Sequence, residues 1–319
     1  MPETIHLTAQ IPEEMADKRL DTVLAELFPD YSRSRLQQWI KAGQVLLDGE
    51  SGKWRPKDKV KGGEQVTIEA ELEPAGDWEA ESLPIEIVYE DKSIIVINKA
   101  AGMVVHPAVG NRAGTVLNAL LNYDPELQHV PRAGIVHRLD KDTSGLMVVA
   151  RTLKAQTSLV EQLQARTVKR EYEAVTVGTM TAGGSVDAPL GRHPKSRKRM
   201  AVVSNGKTAV SHYRVIERFR SHTHIRVQLE TGRTHQIRVH MMHIHYPLVG
   251  DPVYGGRLQL PKGCNEELRE MLRNFKRQAL HAAQLTIQHP ETGDEMSWQS
   301  PLPEDMTQLL DVLRKDNEA

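Results

Sequence analysis

The segment that most limits what this chain can become is Gly134-Ile-Val-His-Arg-Leu-Asp-Lys-Asp-Thr-Ser-Gly-Leu146. Ile135 and Val136 lead into it, and Leu146-Met-Val-Val-Ala150 leaves it as a run suited to a buried strand. Between them His137, Arg138, Asp140, Lys141 and Asp142 follow almost without a break, and Thr143-Ser-Gly is expected to turn the chain. Five ionisable side chains between two apolar runs are costly unless they are paired or open onto a cleft. A charged hairpin loop fits this pattern as well as a reactive cleft does, so the pattern alone leaves both open.

The 319 residues suffice for one large domain or two, and 39% hydrophobic with 26% charged residues suits a globular chain with a sizeable core. The net charge of −1 means that any affinity for nucleic acid must come from local basic patches. Cys264 is the only cysteine, which excludes an intrachain disulfide and a cysteine-based zinc site. Met1-Pro-Glu-Thr-Ile-His6 lacks the basic-then-apolar pattern of a secretory signal. No apolar stretch approaches the roughly 20 residues that span a bilayer. A cytoplasmic protein without membrane contact is expected.

Over residues 18–28, Leu20, Val23, Leu24, Leu27 and Phe28 recur at helical spacing, and Pro29 ends the run. Ser32 is expected to cap a second helix reaching about residue 42, with Leu36, Trp39 and Ile40 inward and Gly43 as the stop. Gln44-Val-Leu-Leu-Asp-Gly-Glu50 reads as a strand entering an Asp-Gly turn. The second helix carries Arg33, Arg35 and Lys41, and Lys53, Arg55, Lys57, Lys59 and Lys61 follow. Such charge is ordinarily a solvated face, but here cations outnumber acids locally in a nearly neutral chain. Residues 74–83 mix Pro, Gly and acids without periodicity and read as a linker.

Two strands follow, Ile85-Glu-Ile-Val-Tyr89 and Ile94-Ile-Val-Ile-Asn98, around Glu90-Asp-Lys-Ser93. Helices are expected over 117–123 and over 154–167, the latter with Ala155, Leu159 and Leu163 on one face. Arg170-Glu-Tyr-Glu-Ala-Val-Thr-Val177 alternates as a strand. Five of the eight residues in Arg192-His-Pro-Lys-Ser-Arg-Lys-Arg199 are Lys or Arg, which makes a solvated loop or a phosphate contact. Asn205-Gly predicts a hairpin between 201–203 and 208–216, and Ile225-Arg-Val-Gln-Leu229 a half-buried strand. In Thr231-Gly-Arg-Thr-His-Gln-Ile-Arg-Val-His-Met241, Gly232 is expected to permit a sharp turn and Thr234 to cap a helix beginning at His235. Leu248-Val-Gly-Asp-Pro-Val-Tyr-Gly-Gly256 is turn-rich, Gln284-Leu-Thr-Ile287 a strand, and Met306, Leu309, Leu310 and Leu313 sit on a closing helix.

His137-Arg-Leu-Asp-Lys-Asp-Thr-Ser-Gly-Leu146 resembles the signature of the RluA-type family of RNA pseudouridine synthases. Asn98-Lys-Ala-Ala-Gly-Met-Val-Val-His-Pro107 resembles that family's first motif, with Ala100 where a proline is usual. The segment 231–241 matches a further motif. Residues 17–65 resemble the S4 RNA-binding domain, in which the second helix and following loop lie against RNA phosphates. The resemblance spans about residues 10–315 and implies an α+β architecture. A small S4-like RNA-binding domain would occupy 1–73 and a linker 74–83. A pseudouridine synthase domain would occupy 84–319, with a mixed, mainly antiparallel sheet, flanking helices and Asp140 in a cleft across the sheet.

The resemblance makes Asp140 the catalytic group. Arg238 matches the arginine that pairs with it, and such a cation favours an ionised carboxylate. Tyr172 matches the tyrosine that stacks on the target base and is a candidate for proton handling at C5. Arg138 matches an arginine that enters the RNA and holds the uridine flipped out, at a cost of roughly a few kcal/mol. Arg33, Arg35, Lys41, Lys195, Arg197, Lys198 and Arg199 are the further candidate RNA contacts. The implied partner is 23S rRNA, at the helix 69 stem–loop of the intersubunit bridge, free or in a pre-50S particle, engaged by a monomer.

Isomerising uridine breaks the N1–C1′ bond, turns the ring and joins C5 to C1′. No redox equivalent, transferred group or water is consumed, so one carboxylate in a shaped pocket can suffice without cofactor or metal. Attack at C1′, attack at C6, and elimination all remain open. So do plainer roles: Asp142 as the reactive acid, Tyr172 as core, Arg238 as a surface charge, Arg138 as a partner of Asp142, and His137 as base or as structure. His235, His240, His243 and His245 invite a metal reading, but no His-Glu-x-x-His pattern appears. A glycosidase would need two carboxylates across one bond, whereas Asp140 and Asp142 are only two apart. A non-catalytic RNA-binding factor and a synthase acting on tRNA or another rRNA site are the remaining alternatives.

Overall fold

The computed structural model describes residues 4–29, 31, 33–71, 78–108, 111–196 and 199–318. The expected cap Ser32, linker residues 74–77, and the candidate RNA contacts Arg197 and Lys198 lie outside the described residues. Near the N-terminus run β1 (Thr4–Gln10), α1 (Leu20–Leu27), α2 (Arg33–Lys41), β2 (Val45–Leu47), β3 (Glu50–Ser51) and β4 (Gln65–Glu71). The strands form an antiparallel sheet in the order β1-β4-β2-β3. Leu20, Val23 and Leu24 of α1 and Leu36, Trp39 and Ile40 of α2 fold their apolar faces onto Val45, Leu47, Val66 and Ile68. Asp21 is fully buried and accepts from Arg19 (3.0 Å), Arg33 (3.2 Å) and Gln37 (2.6 Å), so one carboxylate ties α1 to α2. Burial would raise that carboxyl, but its three donors outweigh burial and hold it far below the usual range. Arg33 is therefore committed to Asp21, Arg35 is half-buried, and Lys41 is exposed.

The following strands are β5 (Glu86–Glu90), β6 (Ile94–Lys99), β7 (Ser144–Ala150), β8 (Lys169–Val177), β9 (Gly184–Asp187), β10 (Leu190–Arg192), β11 (Met200–Val202), β12 (Val210–Arg218), β13 (His222–Leu229), β14 (Leu280–Gln288) and β15 (Glu295–Gln299). Helices α3 (Val116–Tyr123), α4 (Leu153–Ala165), α5 (Gln236–His243), α6 (Glu266–Asn274) and α7 (Glu304–Glu318) flank them. The large sheet runs β5-β6-β7-β14-β8-β13-β12-β9, with β15 on β14. Only the β7–β14 junction is parallel, so the sheet is mixed and mainly antiparallel.

Alternation along the central strands divides the core in two. Ile95, Ile97, Met147 and Val149 meet α3, whereas Ile94, Val96, Leu146 and Val148 meet Ala155 and Leu159 of α4. On the first side Tyr172 and Ala174 of β8 pack in the same cluster as Ile237 and Met241 of α5. The expected linker does not hang free over its described part. Glu81 donates its N–H to Asn118 O (3.0 Å), and Glu79 O accepts from the Asn118 side chain (2.7 Å).

Three local expectations are corrected. The runs beside Asn205-Gly do not pair with each other: β11 pairs with β10, and β12 lies between β9 and β13. The bend expected at Thr143-Ser-Gly falls earlier, where Thr143 N–H donates to Asp140 O (3.1 Å), and Ser144 already belongs to β7. Helix α5 is not capped by Thr234. It starts after His235, which takes a left-handed φ of 58° and makes no side-chain cap.

Candidate active site

The turn at Asp140 is held from below by a lysine. Lys99, 2% exposed, donates Nζ to Ala100 O (2.8 Å), Met103 O (3.0 Å) and Lys141 O (3.0 Å). Burial pulls its pKa down to about 8, against the pull of Asp142 and Asp140. Gln278 donates to Thr143 Oγ1 (3.0 Å) and Arg277 to Asp142 O (3.3 Å). On the incoming arm, Val148 N–H donates to His137 Nε2 (3.1 Å). Burial, with Arg170 adding to it, holds His137 down to about 3. Its Nε2 is taken up by the bond from Val148, which fastens the arm to β7.

Asp140 is 17% exposed at its side chain, and Arg238 Nη1 donates to its Oδ2 at 3.0 Å across 98 residues of chain. Arg238 reaches it from the first turns of α5. That helix is positioned by Gln236, which accepts from Arg233 N–H (3.0 Å) and Thr231 Oγ1 (2.8 Å) and donates to Val210 O (2.9 Å). The other edge of the guanidinium makes two bonds to Asp251, Nε to Oδ2 at 2.7 Å and Nη2 to Oδ1 at 3.0 Å. Burial would lower Arg238, but its bonds to Asp251 and Asp140 outweigh burial and raise it. Burial would raise Asp251, but Arg238 and the amides of Tyr254 (2.9 Å) and Val253 (2.8 Å) hold it low.

Tyr254 packs its ring 5.0 Å from the Arg238 guanidinium and 5.3 Å from that of Arg199. Its hydroxyl accepts from Met200 N–H (2.8 Å) and meets His235 Nδ1 (2.8 Å). Asp251 and Tyr254 were missed in the sequence, where their segment was legible only as a run of turns.

Tyr172 comes from β8 and is 6% exposed, with its hydroxyl raised by burial, opposed by Arg170 and reinforced by Asp140. Asp140, Tyr172, Arg238 and Arg138 line one cavity of about 580 Å³. Arg138 is exposed there, Lys195 is exposed in the loop joining β10 to β11, and Arg199 is half-buried against Tyr254. Asp142 holds the turn through its backbone carbonyl and does not line this cavity. Gly232 does not take a left-handed φ. A Cβ there would stand 2.6 Å from Arg170 Nη1, so a larger residue would displace that guanidinium.

Among the described residues no group of three or more His, Cys, Asp or Glu is placed to share a metal ion. His240 is instead buried between Ser211 Oγ (2.9 Å) and Ala188 O (3.0 Å). No helix among the described residues is long and apolar enough to cross a membrane.

A family model described as RNA pseudouridylate synthase matches residues 93–243, and an S4 domain model matches 18–66. Ribosomal large subunit pseudouridine synthase D of Pseudomonas aeruginosa is 59% identical, covering all of this chain and 99% of that protein. The protein of that name from Escherichia coli K12 is 58% identical over all of this chain and 97% of its own length. Among solved structures, human RNA pseudouridylate synthase domain containing 4 superposes with a TM-score of 0.57 at 26% identity, covering 72% of this chain and 93% of that one. Relatives this similar span the whole chain, which therefore belongs to the RNA pseudouridylate synthase family, an RNA isomerase with an S4 domain ahead of its synthase domain.

Proposed function

We propose that the enzyme isomerises uridines of 23S rRNA in the helix 69 stem–loop, with Asp140 as the attacking carboxylate, during maturation of the large ribosomal subunit. The relatives at 58–59% identity are named for the large ribosomal subunit, which supports rRNA of that subunit as substrate; helix 69 rests on the resemblance of the sequence motifs. One observation carries the chemistry: Arg238 holds Asp140 in the cavity that also contains Tyr172. A carboxylate fixed by one guanidinium, itself fixed by Asp251, is preorganised to meet C1′ or a sugar proton of a uridine that enters. The cavity of about 580 Å³ suits an extruded nucleoside, and extrusion is required because the reacting bond is inaccessible in a stacked strand.

In this reading Tyr172 lies against the uracil and serves proton movement at C5, and Arg138 at the mouth occupies the gap left in the RNA. The unit over 1–73 grips rRNA through the α2 face with Arg35 and Lys41, and Arg33 contributes through its exposed side. Residues 74–83 link it to the catalytic unit 84–319, whose basic loop with Lys195, Arg197, Lys198 and Arg199 meets phosphates. The protein acts as a monomer in the cytoplasm, on rRNA or a pre-50S particle.

The test is pseudouridine mapping across rRNA from cells lacking the gene, complemented with wild type or Asp140→Asn. Loss of the helix 69 modifications, restored by wild type alone, is expected. An unchanged map in the deletion strain would overturn the assignment of target.

A further inference from the structure

Among the described residues no carboxylate pairs with Arg170 in the cavity. Arg170 lies two residues before Tyr172 on β8, hence on the same face, and is 7% exposed. It lines the cavity together with Asp140 and Tyr172. Its Nε has no hydrogen-bond partner, and no hydrogen bond or ion pair to the guanidinium is found among the described residues. Of the other arginines of the cavity wall, Arg138 is exposed to solvent, whereas three are engaged: Arg238 with Asp140 and Asp251, Arg166 with Glu230 at 3.6 Å, Arg233 with Thr208 O at 3.1 Å. Gly232 leaves the space in which Arg170 Nη1 sits. A buried unpaired charge is costly to keep, which points to an anion that arrives or forms in the cavity.

The reaction proposed above forms one. Asp140 begins as a carboxylate paired with Arg238. When the N1–C1′ bond breaks, its electron pair stays with the uracil, which becomes an anion delocalised over N1, O2 and O4. Asp140 loses its charge in the same event, by bonding to C1′ or by taking a proton from C2′. One negative charge has moved from carboxylate to ring, and none has entered or left. It returns when C5 bonds to C1′ and Asp140 either leaves C1′ or gives its proton back to C2′. The C5 proton then departs and N1 takes one from solvent.

We propose that Arg170 is a catalytic residue whose guanidinium receives the negative charge of the detached uracil. Before cleavage the charge sits on the Asp140 carboxylate, bonded to Arg238 at 3.0 Å and not to Arg170; on this proposal it lies beside Arg170 afterwards, the differential stabilisation that accelerates a step. The inference rests on Asp140 acting at the sugar, by attack on C1′ or by taking the C2′ proton, and not on attack at C6 of the uracil.

The test uses full-length Arg170→Met and Arg170→Lys on helix 69 RNA under single-turnover conditions with saturating enzyme. Arg170→Met should be slower by about 100-fold or more while its RNA Kd stays within about threefold of wild type. Arg170→Lys should recover at least about tenfold of that loss. With RNA carrying 5-fluorouridine, which has no C5 proton to lose and is therefore scored by cleavage of its N1–C1′ bond, the ring leaves more readily as an anion and the Arg170→Met defect should shrink to below about tenfold. The thermal midpoint of Arg170→Met should equal or exceed that of wild type, since an unpaired buried charge has been removed. A weakened Kd with an unchanged saturating rate would assign Arg170 to an RNA phosphate and overturn the proposal. An equal loss on both RNAs with a lowered midpoint would make it structural and do the same. Asp140→Asn separates the two levels. Activity in that variant defeats the reading of Asp140, whereas an inactive Asp140→Asn beside a fully active Arg170→Met defeats the role of Arg170 alone.

Discussion

Arg238 meets Asp251 through two parallel hydrogen bonds, 2.7 Å at Nε and 3.0 Å at Nη2, leaving Nη1 free to reach Asp140. Asp251, with no exposed side-chain surface, therefore aims the guanidinium instead of sharing the chemistry. Asp251→Asn removes one partner of a buried pair. It should lower unfolding stability by about 3–5 kcal/mol in urea titrations. In folded enzyme it should slow turnover by about 100-fold, because Arg238 loses its fixed angle toward Asp140.

Tyr172→Phe separates ring from hydroxyl. The ring is buried in the main core, while no hydrogen bond to its hydroxyl is found among the described residues. Stability should stay within about 0.5 kcal/mol of wild type by urea unfolding. Release of the C5 hydrogen should slow with RNA affinity kept, because the stacking surface remains.

Acid should weaken the fold before its carboxylates titrate. Burial holds His137 at about 3 and His222 at about 4, so both stay neutral in the native state well below pH 6. In the unfolded chain they bind protons near pH 6.5, so stability is full above that pH and lost as pH falls toward the folded values. Each histidine contributes a slope of up to about 1.4 kcal/mol per pH unit in that window. Urea midpoints between pH 7 and pH 4.5 should show the decline, and His137→Gln should flatten it.

Gly145 stands at the parallel junction of β7 and β14, at φ +116°, where a Cβ would lie 2.3 Å from Ala282 O. Gly145→Ala should cost more than about 3 kcal/mol or leave the chain insoluble, since backbone must move next to the Asp140 turn. Circular dichroism melts of the purified variant would check it.

What was legible in the sequence was local. Leu20, Val23 and Leu24, or Met306, Leu309 and Leu310, carry helical spacing within one or two turns, and these helices formed where expected. The alternation of β8 and the apolar run of β7 were equally plain. What failed depended on partners far along the chain. Asn205-Gly is a strong hairpin signal, but β10 claims β11 and β13 claims β12. That Gly232 lies against the Arg170 guanidinium, brought in by another strand, could not be read locally. Helix α6 shows Leu268, Met271 and Leu272 amid charges, too few apolar residues to stand out beside the preceding loop. Within the site, motif segments pointed to Asp140, Tyr172 and Arg238. Asp251 and Lys99 act through backbone and buried contacts that no local pattern displays.

The central claim is that the Asp140 carboxylate begins the rearrangement of a uridine held in its cavity. The direct measurement is tritium release from helix 69 RNA labelled at uridine C5, with wild type and Asp140→Asn compared at matched RNA occupancy. Release by wild type with none above background from Asp140→Asn is the expected result. Equal release by both proteins would contradict the claim.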